Sequence, residues 1–371
     1  MLKQYKLRNY HFQLIIYLVL LTMIGIMVIG SAEKSVQAKQ IGGFVVGVIV
    51  MIIISLMDYS FIQKFSWVYY LGINVLLLLV IFAGETTKGS QRWIKIAGIR
   101  FQPSELSKIV IILVFSYYFM KHEETINTIQ TILIGFLLVG VPLLLIYKQP
   151  DNSTTIMTAL LFVVLLFIAG LSYKVVFTVL GITVPIGIIA LSYIVRNADK
   201  LIDAGHYPVK RIMSWLFPSN PKYSGVAIQQ QNSIMAIGSG QLWGKGLNNS
   251  GATSMKNSNY IIQPQTDFIF AVVGEELGFV GAFTILVLLF LIVIECILIG
   301  RKAKDLSGRL ICCGMATLVG FQSFINLCVA TGLMPNTGIP LPFVSYGLTS
   351  LVSLYIGMGF VLNVGLQPKK Y

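Results

Sequence analysis

Along this chain, apolar residues come in runs about as long as a bilayer is thick, separated by polar or turn-rich breaks. A helix needs about 20 predominantly apolar residues to cross the hydrocarbon core. Runs near 12–32, 41–57, 66–84, 104–120, 130–147, 154–170, 173–195, 267–300, 308–333 and 346–365 meet or approach that length. The pattern predicts an all-α polytopic membrane protein of about ten transmembrane helices, forming a single domain over 1–371. A large loop, 196–266, separates spans seven and eight. The first run follows the basic start MLKQYKLRNYHFQ. It exceeds the roughly 7 to 15 residue core of a cleaved signal peptide and is expected to stay as a helix.

Composition agrees with this reading. Hydrophobic residues make up 56% of the chain and charged ones 11%, against roughly 25% charged in soluble domains. Cys296, Cys312, Cys313 and Cys328 all lie inside apolar runs, which argues against a disulfide framework or a Cys/His metal site. The net charge of +13 is spread over loops and is not gathered into an aromatic-interleaved patch, so nucleic acid is not the expected partner. With both termini on the cytoplasmic side, that side carries 12 Lys and Arg, against 7 in the short outer loops. The positive-inside rule therefore favours cytoplasmic termini and places 196–266 outside.

Three outer segments stand out. Residues 85–103, ETTKGSQRWIKIAGIRFQP, carry Lys88, Arg92, Lys95 and Arg100 on the side that should be poor in cations. A basic cradle for a phosphate-bearing ligand is one reading, and headgroup anchoring is the other. The long loop holds VAIQQQNSIMAIGSGQLWGKGL, expected as a short amphipathic or re-entrant helix at the outer surface. Its glycines lack the strand–turn–helix setting of a dinucleotide loop. The third segment, TGLMPNTGIPLPFVSYG, has three prolines and three glycines but no charge. Irregular backbone at membrane depth survives only when buried in protein or lining a cavity, which places this segment against the site.

Ionisable groups at span ends and inside spans are functional candidates, because keeping a charge out of water is costly. Asp267 opens the eighth span, with Glu275 and Glu276 about two turns deeper. Glu105 and Lys108, at i and i+3, are expected to pair on one helix face. Asp151 opens the sixth span. For Asp151 and Asp267 a helix cap is the plain alternative, and for Glu275 and Glu276 it is polar packing between helices. Hydrolysing a glycosidic bond generally takes two carboxylates. A sugar linked through pyrophosphate already has an anionic leaving group, and needs cations plus one general base for the attacking hydroxyl. Asp267 with Lys108, Arg92 and Arg211 matches that second requirement.

In order and spacing, RWI at 92–94, FQPSELSK at 101–108, QPD at 149–151, GSGxLxGKGL at 238–247, TDFIFAVVGEELGFVG at 266–281 and TGIPLPFVSYG at 337–347 resemble the SEDS family of RodA, FtsW and their sporulation relatives such as SpoVE. The resemblance covers nearly the whole chain. It implies a peptidoglycan glycosyltransferase that polymerises lipid II at the outer face of the bacterial cytoplasmic membrane. The implied partners are a class B penicillin-binding protein and other elongasome or divisome membrane proteins. Asp267 matches the family's essential aspartate, and Glu105 and Lys108 its acid–base pair. Arg92, Glu105, Lys108, Arg211, Lys245 and Ser345 are expected on the substrate, with Asp151, Glu275, Glu276 and Pro342 as polar or structural support. GKGL and QPD lean towards RodA and elongation, whereas QPDNSTT and SYGLTS replace the family's usual QPDLGT and SYGGSS. No cofactor is compelled. A divalent cation, magnesium or manganese, is the one that would help neutralise pyrophosphate. Two other functions carry different expectations: a flippase for the lipid-linked precursor would line its midplane with polar groups, and an inactive scaffold would not need the TDFIF and SELSK motifs.

Overall fold

A computed structural model of the chain describes residues 10–87, 90–96, 99–203, 205, 207–248 and 263–367. Of the candidate residues named above, Lys88 lies outside the described residues.

Each apolar run becomes a helix because a helix satisfies its own backbone hydrogen bonds where no water is available. α1 (Phe12–Ala32) ends at Glu33, and α2 (Lys34–Leu56) follows directly. α2 starts well before the predicted 41, since its first turns are amphipathic: Lys34 and Lys39 stay exposed while Gln40 is buried. α3 (Tyr59–Ile62), a short 3₁₀ turn and α4 (Ser66–Ala83) make up one apolar stretch, with Asp58 capping its start. α5 (Pro103–Lys121), α6 (Ile129–Lys148), α7 (Asn152–Ile168) and α8 (Tyr173–Arg196) complete the first group. The long loop holds α9 (Ala198–Asp203), α10 (Tyr207–Leu216) and α11 (Ser224–Ser239). α12 (Ile269–Arg301), α13 (Leu306–Ala330) and α14 (Leu348–Leu366) close the bundle.

Among the described residues, nine helices are long and apolar enough to cross a membrane, and α7, at 17 residues, is a shorter apolar helix beside them. α5 and α14 are the most buried, α13 packs against both, α2 lies along α14, and α1 lies along α12. α8 is the opposite case: none of its apolar window is buried, and its closest packing is with α9.

One small element is added to the helices. The 85–103 segment folds as an antiparallel sheet of β1 (Glu85–Thr87), β2 (Ser90–Ile96) and β3 (Ile99–Phe101), in the order β1-β2-β3. The alternation in Arg92-Trp93-Ile94-Lys95-Ile96 is its sequence signal. Gln102 is extended ahead of Pro103, which opens α5 at a position where its missing N–H costs nothing.

Candidate active site at the hairpin end of the bundle

At the end of the bundle that carries the hairpin, the chain between α11 and α12 turns through Asp267 just before the first turn of α12. Three side-chain and backbone donors fix that turn through its carbonyls. Asn326 Nδ2 on α13 donates to Asp267 O at 2.9 Å and to Ile339 O at 2.8 Å. Ser345 Oγ donates to Thr266 O at 2.7 Å, and Tyr346 N donates to Gln265 O at 2.8 Å. The half-buried carboxylate of Asp267 faces Gly338. A β-carbon on Gly338 would lie 3.5 Å from Asp267 Oδ2 and 4.0 Å from Arg211 Nη1. The acid and the guanidinium therefore flank one glycine, which itself sits at φ +76°.

Arg211 reaches this place because α10 is fastened to the connection between α13 and α14. Its Nη1 donates to Asn336 O at 3.1 Å, and Trp215 Nε1 donates to Gly332 O at 2.9 Å. α11 lies beside it: Gln230 Nε2 donates to Val329 O at 2.8 Å and to Met334 O at 2.6 Å, and Ser233 Oγ donates to Ala330 O at 2.8 Å. The last carbonyls of a helix have no partner within the helix. Here side chains of the long loop supply partners for α13.

A second group assembles where α5 and α7 begin. Glu105 and Lys108 form the expected ion pair at 2.8 Å, with both side chains almost wholly buried. Asp151 caps α7 by accepting from Thr154 N at Oδ1, and Arg92 Nη1 lies 3.4 Å from the same oxygen. Gln102 Nε2 donates to Asp151 Oδ2 at 3.3 Å, and Arg92 also donates to the carbonyls of Gln149 and Pro150. The two groups adjoin at the α13–α14 connection, where Ser153 Oγ donates to Thr337 O, one residue from the carbonyl that Arg211 holds.

Other predicted residues are placed differently. Lys95 and Arg100 are cross-strand partners, and Arg100 Nε lies 3.4 Å from Glu85 Oε2. Arg92 is an odd number of positions from Lys95 and so projects from the other face of β2. Among the described residues, the cations of this segment thus do not form one cradle. Ser345 is buried, with its hydroxyl between Leu341 N and Thr266 O. Pro342 is buried in the same connection. Lys245 Nζ meets Glu275 Oε1 at 2.9 Å, and Glu276 Oε1 accepts from Ser31 Oγ at 2.6 Å. Among the described residues, no three His, Cys, Asp or Glu side chains gather as a metal set. The residues that sequence reasoning passed over are Gln40, Gln102, Trp215, Gln230, Ser233 and Asn326. Gln40, which donates to Ser345 O and accepts from Gly347 N, lies in the amphipathic start of α2, and the visible signal for Asn326 was an amide within a largely apolar helix.

Fold and site together define a multi-pass membrane protein whose irregular segments converge on one acid at one end of the bundle. The chain belongs to the FtsW/RodA/SpoVE family, described as cell cycle proteins, which it matches over residues 7–370. It is 32% identical to a probable peptidoglycan glycosyltransferase FtsW of Geobacter sulfurreducens, over 98% of this chain and 97% of that protein. It is 30% identical to the peptidoglycan glycosyltransferase MrdB of Escherichia coli K12, over 96% of this chain and 93% of that one. Among solved structures, its fold is similar to a chain from a peptidoglycan synthase complex that coordinates polymerization and crosslinking, at a TM-score of 0.77, 24% identity and coverage of 96% and 97%. It is also similar to the rod shape determining protein RodA of Thermus thermophilus, at a TM-score of 0.69, 24% identity and 96% coverage of each chain.

Proposed function

We propose that this chain is a peptidoglycan glycosyltransferase that polymerises lipid II, with Asp267 as general base. Its carboxylate takes the proton from the 4-hydroxyl of the acceptor sugar. The hydroxyl oxygen forms a bond to the anomeric carbon of the donor as the bond from that carbon to the pyrophosphate oxygen breaks, with inversion. The undecaprenyl pyrophosphate leaves as an anion, and the Arg211 guanidinium, beside Gly338 as the acid is, stabilises it. The observation that carries this reading is the pairing of a half-buried carboxylate and a guanidinium about the same glycine, on a turn pinned through its backbone.

Arg92, Glu105 and Lys108 support the substrate side of the site, and Asp151 holds Arg92 in place. The hairpin end then faces outward, with both termini in the cytoplasm, in keeping with the cation count of the loops. A class B penicillin-binding protein is the partner this reading calls for, and the similar chain from a peptidoglycan synthase complex supports it. The lean towards elongation rests on GKGL and QPD alone, since relatives named FtsW and MrdB match at 32% and 30% identity.

The test is glycan polymerisation from purified lipid II by the detergent-solubilised protein, with and without its class B partner. The wild type should make polymer, and Asp267→Asn, folded equally well, should make none. Equal polymer from both removes Asp267 from the chemistry. No polymer from either, with flipping of the lipid in vesicles, replaces the enzyme by a transporter.

A further inference from the structure

The chemistry above makes no use of residues 240–248, yet this segment is folded tightly onto a break in α12. Gly278, at φ +66° and ψ −163°, interrupts the helix. The break leaves a first half, Ile269–Leu277, between Asp267 and the membrane-spanning remainder. Backbone groups released at the break are taken up by the segment: Phe279 N donates to Gln241 O at 2.8 Å and Val280 N to Leu242 O at 3.2 Å. In return, Lys245 N and Gly246 N donate to Glu275 O and Glu276 O, both at 2.9 Å. Only glycine fits the contact, since a β-carbon on Gly240 would lie 1.9 Å from Gly274 O, and one on Gly244 2.2 Å from Glu276 O. Side chains repeat the tie. Lys245 Nζ pairs with the buried Glu275, and Ser31 Oγ, which accepts from Asn248 N, donates to Glu276.

We propose that 240–248 is a clamp that sets the tilt of the half-helix 269–277, and that Lys245 and Glu275 are positioning residues for Asp267 and not contacts of the substrate. This rests on the reading of Asp267 as general base. At a rise of about 1.5 Å per residue, the half-helix is a lever of roughly 13 Å, so a tilt of about 5° at Gly278 moves its far end by about 1 Å. A displacement of about that size costs on the order of a hundredfold in rate.

The experiment is steady-state polymerisation of lipid II by the full-length protein with its class B partner, comparing Lys245→Met, Lys245→Arg, Glu275→Gln and the double variant Lys245→Met/Glu275→Gln, with Asp267→Asn as reference. Lys245→Met and Glu275→Gln should each lower kcat by roughly tenfold to a hundredfold while KM stays within about twofold. The double variant should be no worse than either single, and Lys245→Arg should recover most of the loss. Hydrogen exchange should quicken over 266–277 in Lys245→Met but not along α13, a readout that needs no activity and reports on folding as well. A raised KM in Lys245→Met with normal kinetics in Glu275→Gln assigns the lysine to the substrate and overturns the clamp. Unchanged kcat in both variants, or unchanged exchange over 266–277, also overturns it. If Asp267→Asn polymerises like the wild type, the general-base reading fails instead, and exchange alone judges the clamp.

Discussion

At the residue scale, Gly338 and Asn326 carry the most consequence for their size. Gly338 combines a positive φ with a place beside Asp267 and Arg211; a methyl there would meet both at ordinary van der Waals distance, so its cost is backbone strain, relieved by a shift of the connection that lies against the acid. Such strain costs on the order of 1–3 kcal/mol. Gly338→Ala is expected to lose at least about tenfold in kcat, in line with the steep cost of small displacements, and polymerisation kinetics will show it. Asn326→Leu removes the donor to two carbonyls and leaves the buried Ile339 carbonyl and the half-buried Asp267 carbonyl without it. Each orphaned group costs about 1–3 kcal/mol, so thermal unfolding in detergent should fall by several degrees. Sequence reasoning reached Asp267, Glu105, Lys108 and Asp151 because charges near membrane helices are conspicuous. It passed over Asn326 because an amide in an apolar run can equally well bond back to its own helix.

At the element scale, the hairpin was the least legible part. Strands of three residues fall below any run length that periodicity can resolve, and only the middle strand alternates far enough to be seen. Its fastening to the bundle passes through Arg92, whose guanidinium reaches the nearly buried Asp151 and the turn before α7. Removing one partner of a fully buried pair costs about 3–5 kcal/mol. Arg92 is 31% exposed, so Arg92→Ala should cost roughly 1–2 kcal/mol after discounting for solvent screening. The loss should appear as faster hydrogen exchange in β2 than in α5.

The long loop has a fastening of its own at Asp199, whose carboxyl is held below the usual carboxylate range by hydrogen bonds from Lys222 and Tyr223 and by the lysine's charge. A lowered folded-state pKa gives stability that is present above the unfolded value of 3.8 and is lost as the pH falls through the folded value. Acidification below about pH 4 should therefore loosen α9 from the turn at Lys222–Tyr223, and Asp199→Asn should abolish that pH dependence in hydrogen exchange of 198–203.

At the scale of the whole molecule, the number and order of the membrane helices were readable because each apolar run must become a helix in lipid. Their burial was not readable, since α8 and α14 are both apolar but differ completely in what surrounds them. Burial should decide the cost of truncation. Leu161→Ala, on the buried face of α7, should cost about 2–5 kcal/mol through the cavity it leaves. Ile182→Ala on α8, at 57% exposure, should shift thermal unfolding by less than a degree or two, corresponding to no more than about 0.5 kcal/mol.

The bonds that pin the turn at Asp267 come from Asn326, Ser345 and Tyr346, all later in the chain, and α10 and α11 rest on the end of α13, which is also later. Synthesis proceeds from the N-terminus, so the turn at Asp267 leaves the ribosome before the three groups that pin its carbonyls, and α10 and α11 leave before the end of α13 on which they rest. The proposed site is therefore completed only when α13 and the connection after it have followed, and a nascent chain stopped before Asn326 holds Asp267 without the groups that fix its turn.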